Sequence, residues 1–264
     1  MPAKGDSMMQ GRLRRSIGAC LMALLALIWL PRGAGAQSAD TSSGWSFQIT
    51  PYLWLAGIGG NVTTAHGQSA SFSQSIGDVL SELDGGLMLL GEARYGRWGI
   101  LADFDYARLT TNGDQGPILG GASLTTREYI GTLDGGYRFI DSDSLKLDGL
   151  VGVRVFSVDT SLSTGGALLP PLSDSGSATW ADPLLGMRAI LPIGAGFFAN
   201  ALGDVGGGPN GDLTWQIYGG LGYNFDKTVA AYVGYRYLAF DHTVNGMNFD
   251  IHQQGPLIGV GIRF

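Results

Sequence analysis

Charged side chains recur at every second position along several apolar stretches of this chain, and they are the residues that could carry chemistry. In EARYGRWGILADFDYAR, residues 92–108, acidic and basic residues alternate with small, aliphatic or aromatic ones. A period of two places the charges on one face of a strand and the apolar residues on the other. The alternation assigns to the polar face eight acidic and seven basic residues: Glu92, Asp103, Asp105, Glu128, Asp134, Asp148, Asp182 and Asp204, with Arg94, Arg138, Lys146, Arg154, Arg188, Arg236 and Arg263. Charges so nearly balanced can form ion pairs or can line a polar passage.

Residues suited to hydrolytic chemistry are sparse. The three histidines are His66, His242 and His252, and Asp241 directly precedes His242. Adjacent residues of a strand point to opposite faces, so this Asp–His neighbour pair cannot act together. The glycine-rich segment 203–212, GDVGGGPNGD, lacks the Lys-Ser/Thr pair of a phosphate-binding loop and indicates a flexible loop. We therefore expect no enzyme activity, no catalytic residue, no metal site and no cofactor.

Ten alternating stretches must position the charges. They lie at about 45–57, 86–95, 98–109, 124–139, 144–157, 179–191, 197–205, 213–225, 229–241 and 254–264. Four connections are tight, around Gly96, Ser142, Gly194 and Asp226, and these alternate strictly with five longer ones. The pattern predicts an all-β fold: a transmembrane antiparallel up-and-down β-barrel of about ten strands over 45–264, with its charges in the lumen. An even number of strands places both termini at the end with the short turns.

The spacing of aromatic residues supports a membrane barrel. Tyr129 and Phe139 are ten residue steps apart, as are Trp215 and Phe225. At about 3.3 Å per step and a tilt near 40°, ten steps rise about 25 Å, the height of the apolar band between aromatic girdles. A secreted, soluble β-sandwich would also show alternating strands. It would explain neither this spacing nor the alternation of short and long connections.

The first 36 residues have the composition of a secretory signal peptide. Basic residues up to Arg15 precede an apolar run over 17–30, and Ala34-Gly35-Ala36 offers a cleavage site before Gln37. The apolar run is shorter than the ~20 residues of a membrane-spanning helix. We predict a signal peptide at 1–36 and a short N-terminal segment at 37–44 before the barrel. The predicted signal peptide contains Cys20, the single cysteine.

Residues 71–84, SFSQSIGDVLSELD, break the strand pattern. Their apolar residues fall at helical spacing: Ile76, Val79, Leu80 and Leu83. Ser75 and Asp78 stand at the spacing of a capping box. We predict a short amphipathic helix in the first outer loop, either folded into the mouth as a partial plug or lying on the rim. A hairpin over 61–73, turning at 66–67, is expected before it.

The chain closes on GVGIRF, and its terminal Phe264 resembles the signal by which the assembly machinery recognises outer-membrane barrels. More widely, the chain resembles a family of uncharacterised Gram-negative outer-membrane β-barrel proteins. The matching stretches are PYLWLAGIGGNV at 51–62, SFSQSIGDVLSELDGGLM at 71–88, EARYGRWG at 92–99, WADPLLGMR at 180–188, DLTWQIYGGLGY at 212–223, GYRYLAFD at 234–241 and GPLIGV at 255–260. They cover most of the predicted barrel. The resemblance implies an outer-membrane location and implies no activity.

These features predict an integral outer-membrane protein, mainly structural, whose narrow lumen is closed by salt bridges. A small selective porin-like passage for small solutes is the alternative, and an outer-membrane hydrolase is a third possibility. The expected partners are outer-membrane lipid and the barrel-assembly machinery, and both termini are expected in the periplasm. A formal charge of −6 without a lysine-rich patch argues against nucleic-acid binding. The sequence leaves the oligomeric state open.

Overall fold

The computed structural model describes residues 44–63, 67–114, 121–165, 173–208, 211–244 and 246–264. The predicted signal peptide therefore lies outside the described residues. One helix, α1 (Ile76–Glu82), stands between the third and fourth strands. The strands are β1 (Trp45–Trp54), β2 (Gly57–Thr63), β3 (Ser69–Gln74), β4 (Leu83–Tyr95), β5 (Trp98–Asp114), β6 (Gly121–Asp141), β7 (Lys146–Thr164), β8 (Ser173–Gly194), β9 (Phe197–Gly206), β10 (Leu213–Asn224), β11 (Val229–Val244) and β12 (Met247–Arg263).

The described strands close into an antiparallel up-and-down barrel. From β4 to β12 each strand pairs with the next in sequence, and β1 joins β4 to β12. Along β12, β1 pairs from Arg263 to Leu257, and β2 continues from Gln254 to Asn248. Because β1 and β2 share one place in the wall and β3 pairs with β2 alone, the barrel has ten positions. The predicted ten-stranded barrel is confirmed.

Several strands extend beyond their predicted ends, chiefly away from the short turns. The stretch predicted at 98–109 runs to Asp114, and those predicted at 144–157 and 179–191 extend to Thr164 and Ser173. These extensions are rich in Ser, Thr, Asp and Gly and do not alternate with apolar residues. Backbone pairing does not need a hydrophobic face once the neighbouring strand is in register, so hydrophobic periodicity underestimates their length.

The first long connection is a hairpin followed by a short helix. Strands β2 and β3 pair from Thr63↔Ser69 to Ile58↔Gln74, as expected, while the turn at 64–66 lies outside the described residues. The helix spans 76–82 rather than 71–84, because residues 69–74 pair as β3. Ser75 caps it, and the capping box with Asp78 is present. Helix α1 contacts β2, β3 and β5 and contains no buried residue, which places it on the rim.

Within the described ranges, no helix is long and apolar enough to cross a membrane.

The outer face of the barrel is apolar and bears two groups of aromatic rings. At the short-turn end, Trp98 lies 4.9 Å from Tyr137, and further pairs join Trp45 to Tyr95 and Phe197 to Tyr223. Toward the other end, the ring contacts are Tyr106–Tyr129 at 4.8 Å and Trp215–Tyr237 at 4.9 Å. Exposed aliphatic side chains lie between the two groups, including Ile100, Leu133, Val151, Leu185, Ile217 and Val233. This is the surface of a barrel whose middle band is covered by hydrocarbon.

Candidate functional site

The lumen is the candidate functional site, because the charged side chains converge there. The structure places on its lumen face the predicted residues Glu92, Arg94, Asp103, Asp105, Glu128, Asp134, Arg138, Asp148, Arg154, Asp182, Arg188 and Arg236, together with Lys146, Asp204 and Arg263. Most of them meet in three ion-pair clusters. Each cluster is named below by its central residue.

The Asp148 cluster lies nearest the short turns. The carboxylate of Asp148 contacts three guanidinium groups, at 2.7 Å from Arg138, 2.8 Å from Arg94 and 2.7 Å from Arg188. Arg138 and Arg188 stand opposite Asp148 on its two neighbouring strands. Arg188 on β8 also reaches Glu92 on β4, 2.8 Å away. Since β4 and β8 lie on opposite sides of a ten-stranded barrel, this ion pair crosses the lumen.

The Arg236 cluster crosses the lumen at a higher level. Nη1 of Arg236 on β11 lies 2.9 Å from Asp105 and 3.2 Å from Asp103, both on β5. The Tyr52 hydroxyl is 2.6 Å from Asp105 and 2.7 Å from Asp103 and can donate its hydrogen to either. The guanidinium carbon lies 4.6 Å from the centroid of the Trp54 ring, a cation–π distance. The charge of Arg236 is therefore compensated on two sides.

The Arg154 cluster joins four strands. Arg154 is fully buried, and its Nη2 donates a hydrogen bond of 2.8 Å to Asp204. Its other nitrogens donate to the hydroxyls of Thr132 and Thr214. Gln216 donates to the same carboxylate of Asp204. Hydrogen bonds therefore occupy every side of a guanidinium that has no access to solvent.

Three predicted carboxylates stand outside these clusters. Glu128 on β6 accepts a 2.6 Å hydrogen bond from Gln253 on β12. Among the described residues, Asp134 and Asp182 form neither an ion pair nor a conventional side-chain hydrogen bond, although their exposed fractions are 6% and 2%. Asp134 lies over Gly152 of the next strand, where a Cβ atom would overlap its carboxylate.

Above the Arg236 cluster the lumen is filled by apolar side chains rather than charges. Five of them are at most 5% exposed and form one contact cluster: Trp54, Ile130, Phe156, Leu238 and Phe240. Trp180 stacks on this cluster, with its ring 5.0 Å from that of Phe156. We call these six residues the apolar layer. The apolar layer was not predicted from the sequence, although its residues lie on the inward-facing side of their strands, as the charged residues do.

Below the apolar layer, the lumen contains a cavity of about 1090 Å³. Its lining begins at the short turns and chain ends, with Ser46, Gly196 and Phe264, and reaches Tyr52 and Arg236. The wall formed by β4–β8 is charged, because it carries the Asp148 cluster. The wall formed by β8–β12 is mainly apolar and aromatic: Ile190, Pro192, Phe198, Leu202, Tyr218, Tyr232 and Leu257.

Glycines make room for the cavity. A Cβ atom on Gly222 would overlap the ring of Phe198, and one on Gly220 or Gly234 would overlap Tyr218. The aromatic rings can therefore lie flat against the wall instead of projecting into the lumen. Close approach of side chain to backbone is the reason for glycine at these three positions.

The outer rim holds an Asp–His pair that sequence analysis did not find. Nδ1 of His242 lies 3.1 Å from Oδ2 of Asp212, and its ring stacks on Trp180 at 4.4 Å. Asp241, considered from the sequence, instead accepts a hydrogen bond from Asn248. The acidic neighbour of His242 is therefore not Asp241 but Asp212, which precedes β10, the strand paired with β11.

Glycines 206–208 pack closely around this pair. A Cβ atom on Gly206 would overlap the carbonyl of Pro183, and one on Gly207 the carbonyl of Asp212. A Cβ on Gly208 would stand 2.8 Å from Oδ2 of Asp212. Two residues of the glycine-rich segment that the sequence indicated as a flexible loop, Gly207 and Gly208, thus pack against the acidic partner of the histidine, while Gly206 packs against Pro183.

The other two histidines lie elsewhere. His252 is on the outer face, its ring 5.8 Å from and parallel to that of Tyr237. His66 falls outside the described residues. Within the described part of the chain, no group of three or more His, Cys, Asp and Glu side chains is arranged to hold a metal ion.

Phe264 ends the barrel at the seam between its first and last strands. Its backbone exchanges two hydrogen bonds of 3.0 Å with Phe47, and the two rings stack at 5.8 Å. The ring remains 68% exposed on the outer face. Recognition of this residue by the assembly machinery stays a prediction.

No family model matches the chain, and no curated protein matches it. Solved structures of outer-membrane β-barrel proteins are similar in fold. The outer membrane protease OmpT from Escherichia coli is 9% identical, with 87% of this chain and 100% of that chain covered and a TM-score of 0.49. The attachment invasion locus protein Ail of Yersinia pestis is 14% identical, with 84% and 99% covered and a TM-score of 0.35. The translocator domain of the autotransporter NalP from Neisseria meningitidis is 13% identical, with 96% and 99% covered and a TM-score of 0.38. At these values the likeness concerns the barrel and implies nothing about an activity.

Proposed function

We propose that this chain is an integral outer-membrane protein of a Gram-negative bacterium, with a lumen closed to ions and solutes and its termini in the periplasm. The exposed apolar band between two groups of aromatic rings supports a membrane location. Tight turns at one end and long polar hairpins at the other are typical of outer-membrane barrels, whose short turns face the periplasm. Both described ends of the barrel, at Trp45 and Phe264, lie beside the short turns.

The single observation that supports a closed lumen is the order of the side-chain layers along the barrel axis. Two sets of ion pairs cross the lumen, and the apolar layer lies above them. To open the passage, cross-lumen pairs would have to separate, and breaking a buried pair costs about 3–5 kcal/mol. Separating apolar residues such as Phe156, which is 1% exposed, would cost further free energy. A protein closed in this way serves as a rigid membrane element rather than as a pore.

Planar-bilayer recordings test this proposal. The purified protein, refolded in detergent, is expected to give no steady conductance, whereas a general porin prepared identically gives large openings. Heat-modifiable migration on a gel confirms that the sample contains the folded barrel. Large steady openings of the folded protein would overturn the closed-lumen proposal.

A narrow passage for small solutes is the second candidate, and the 1090 Å³ cavity favours it. The cavity already occupies the lumen below the Arg236 cluster, so the largest part of the barrier lies in the Arg236 cluster and the apolar layer. A passage would require these side chains to move without loss of the barrel. Small, brief and ion-selective openings in the same recordings would support this candidate against the fully closed barrel.

We also propose that the protein is not a hydrolase, despite the His242–Asp212 pair. His242 stacks on Trp180, and its Nδ1 faces the carboxylate. A nucleophilic hydroxyl would need to lie within hydrogen-bonding distance of the histidine. Among the described residues, no Ser, Thr or Tyr hydroxyl forms a hydrogen bond with His242. Hydrolysis of lipid and peptide substrates is therefore expected to be absent. An activity that is present in the unmodified protein and is lost in His242→Ala would contradict this.

A further inference from the structure

The inner end of the cavity, at the level of the Arg236 cluster, is called its floor below, and it holds a buried carboxylate without an ion pair or hydrogen bond to any described residue. Asp134 lines the cavity and is 6% exposed, and no described residue forms an ion pair or hydrogen bond with it. Four charged groups act on it at longer range: the carboxylates of Asp103 and Asp204, and the guanidinium groups of Arg154 and Arg188. Both arginines are already paired with other carboxylates. A buried charge normally has a partner, and an unpartnered one facing a cavity indicates a bound group.

The charges around the cavity are also divided along its axis. Within the described residues, the level of the floor carries four carboxylates and two guanidinium groups: Asp103, Asp105, Asp134 and Asp204, with Arg154 and Arg236. The level nearer the short turns has four side-chain carboxylates and six cationic groups: Glu92, Asp141, Asp148 and Asp226, with Arg94, Arg138, Arg188, Lys146, Lys227 and Arg263. The floor is thus net negative and the entrance net positive.

Three cations near the entrance, Lys146, Lys227 and Arg263, have no ion pair with a described residue, and Arg263 is the one with defined neutral partners. Arg263 donates hydrogen bonds to the neutral side chains of Gln48 and Asn224, at 2.9 Å and 2.8 Å. It therefore keeps its full positive charge available to a ligand. From Asp134 to Arg138 is four residue steps along β6, which at the strand tilt of a barrel corresponds to about 10 Å along the axis. Along the barrel axis, the floor and the cationic level are therefore separated by about the length of a short aliphatic chain.

We propose that the cavity binds a small zwitterionic organic molecule, with its ammonium group on Asp134 at the floor and its anionic group toward Arg263 at the entrance. The aliphatic body of the ligand lies against Phe198 and Tyr218. A volume of about 1090 Å³ is at the upper end of small-molecule pockets, which are mostly apolar with a few polar groups that fix orientation. This inference concerns the cavity alone and does not require the lumen to be closed or open.

Calorimetric titration of the folded protein in a maltoside detergent tests the proposal with four probes of equal length: 6-aminohexanoate, hexylamine, hexanoate and hexan-1-ol. Asp134→Asn keeps the size of the side chain and removes the charge. Arg263→Gln keeps two neutral hydrogen-bonding groups at the entrance. Asp182→Asn is the matched control, because Asp182 is also buried without an ion pair but does not line the cavity. Heat-modifiable migration checks that each variant is folded.

The unmodified protein is expected to bind 6-aminohexanoate most tightly and hexylamine next. Asp134→Asn is expected to weaken both by about tenfold or more, since a charge-assisted hydrogen bond in a buried site is lost. Arg263→Gln is expected to weaken 6-aminohexanoate and leave hexylamine unchanged, and Asp182→Asn to change neither. The proposal is overturned if the unmodified protein binds none of the probes, if hexanoate or hexan-1-ol binds as tightly as 6-aminohexanoate, or if Asp134→Asn binds like the unmodified protein. The last result would show that the charge of Asp134 does not bind the ammonium group.

Discussion

Replacing Asp103 and Asp105 together by Asn isolates the charge of Arg236 inside the barrel. The side chain of Arg236 is 4% exposed, and its Nη1 pairs with both carboxylates. After the double substitution, the partners left to the guanidinium group are neutral: the Gln216 side chain and the Tyr52 hydroxyl. The Trp54 ring still covers one face. A full positive charge then remains in a confined interior without an ion pair, and the Glu128 carboxylate acts on it only at longer range.

The expected loss of stability follows from burial and distance. Removing the acidic partner of a buried pair costs about 3–5 kcal/mol, chiefly because the other charge stays buried. Asp103 is the weaker partner, at 3.2 Å and 20% exposed, so Asp103→Asn alone should cost about 1 kcal/mol or less. Asp105, at 2.9 Å and 7% exposed, should account for most of the double-variant effect. Adding Arg236→Met to the double variant removes the isolated charge and should recover most of the lost stability.

Urea unfolding in lipid vesicles, followed by tryptophan fluorescence, measures these differences as shifts of the midpoint at constant slope. Asp182→Asn serves as the control, since its carboxylate has no ion pair among the described residues. A double variant as stable as the unmodified protein would refute the assignment of Arg236 as a buried, compensated charge. So would a triple variant no more stable than the double one.

Two further predictions concern the apolar layer and helix α1. Phe156→Ala removes a side chain that is 1% exposed, and we expect it to lower the free energy of unfolding in the urea assay by about 3–5 kcal/mol. We also expect brief openings in bilayer recordings. Unchanged stability together with an absence of conductance would show that the layer does not seal the lumen. Hydrogen bonds from the side chain and backbone N–H of Ser75 lower the pKa of Asp78. The capping interaction is therefore fully present above the ordinary pKa of the carboxyl group and is lost as the pH falls through the lowered pKa. Ser75→Ala should raise the pKa of Asp78 toward its ordinary value in an NMR titration, and an unchanged pKa would contradict the capping assignment.

Strand positions and the direction of side chains could be predicted because both follow from a local period of two. A stretch of about a dozen residues is enough to show the alternation around Glu92, Asp103 and Asp105 and to predict the tight turn at Gly96. Strand ends such as Asp114 and Thr164 could not be read in this way. They depend on pairing with a neighbour, which leaves no hydrophobic pattern in a polar hairpin.

Ion-pair partners could be predicted only where a tight turn sets the register. The turn after Asn224 pairs that residue with Ala230, and counting along the hairpin brings Asp212 opposite His242. The Asp212–His242 contact could therefore be predicted from the register of this hairpin. The chain neighbour of His242, Asp241, does not predict it. The cross-lumen pair of Arg188 with Glu92 was not, because it depends on the stagger of strands around the whole barrel.

Side-chain volume, rather than the number of strands, closes this lumen. The same ten strands surround both levels, yet one level is filled by large residues such as Trp54 and Phe156 while the other encloses about 1090 Å³. In the open half, inward positions such as Gly220 and Gly222 carry no side chain, and the rings beside them lie against the wall. The number of strands sets the width of the lumen. The size of the side chains at the inward-facing positions determines whether they fill that width or leave a cavity. The inward-facing residues alone therefore determine that a closed apolar layer lies above a cavity lined partly by charged groups.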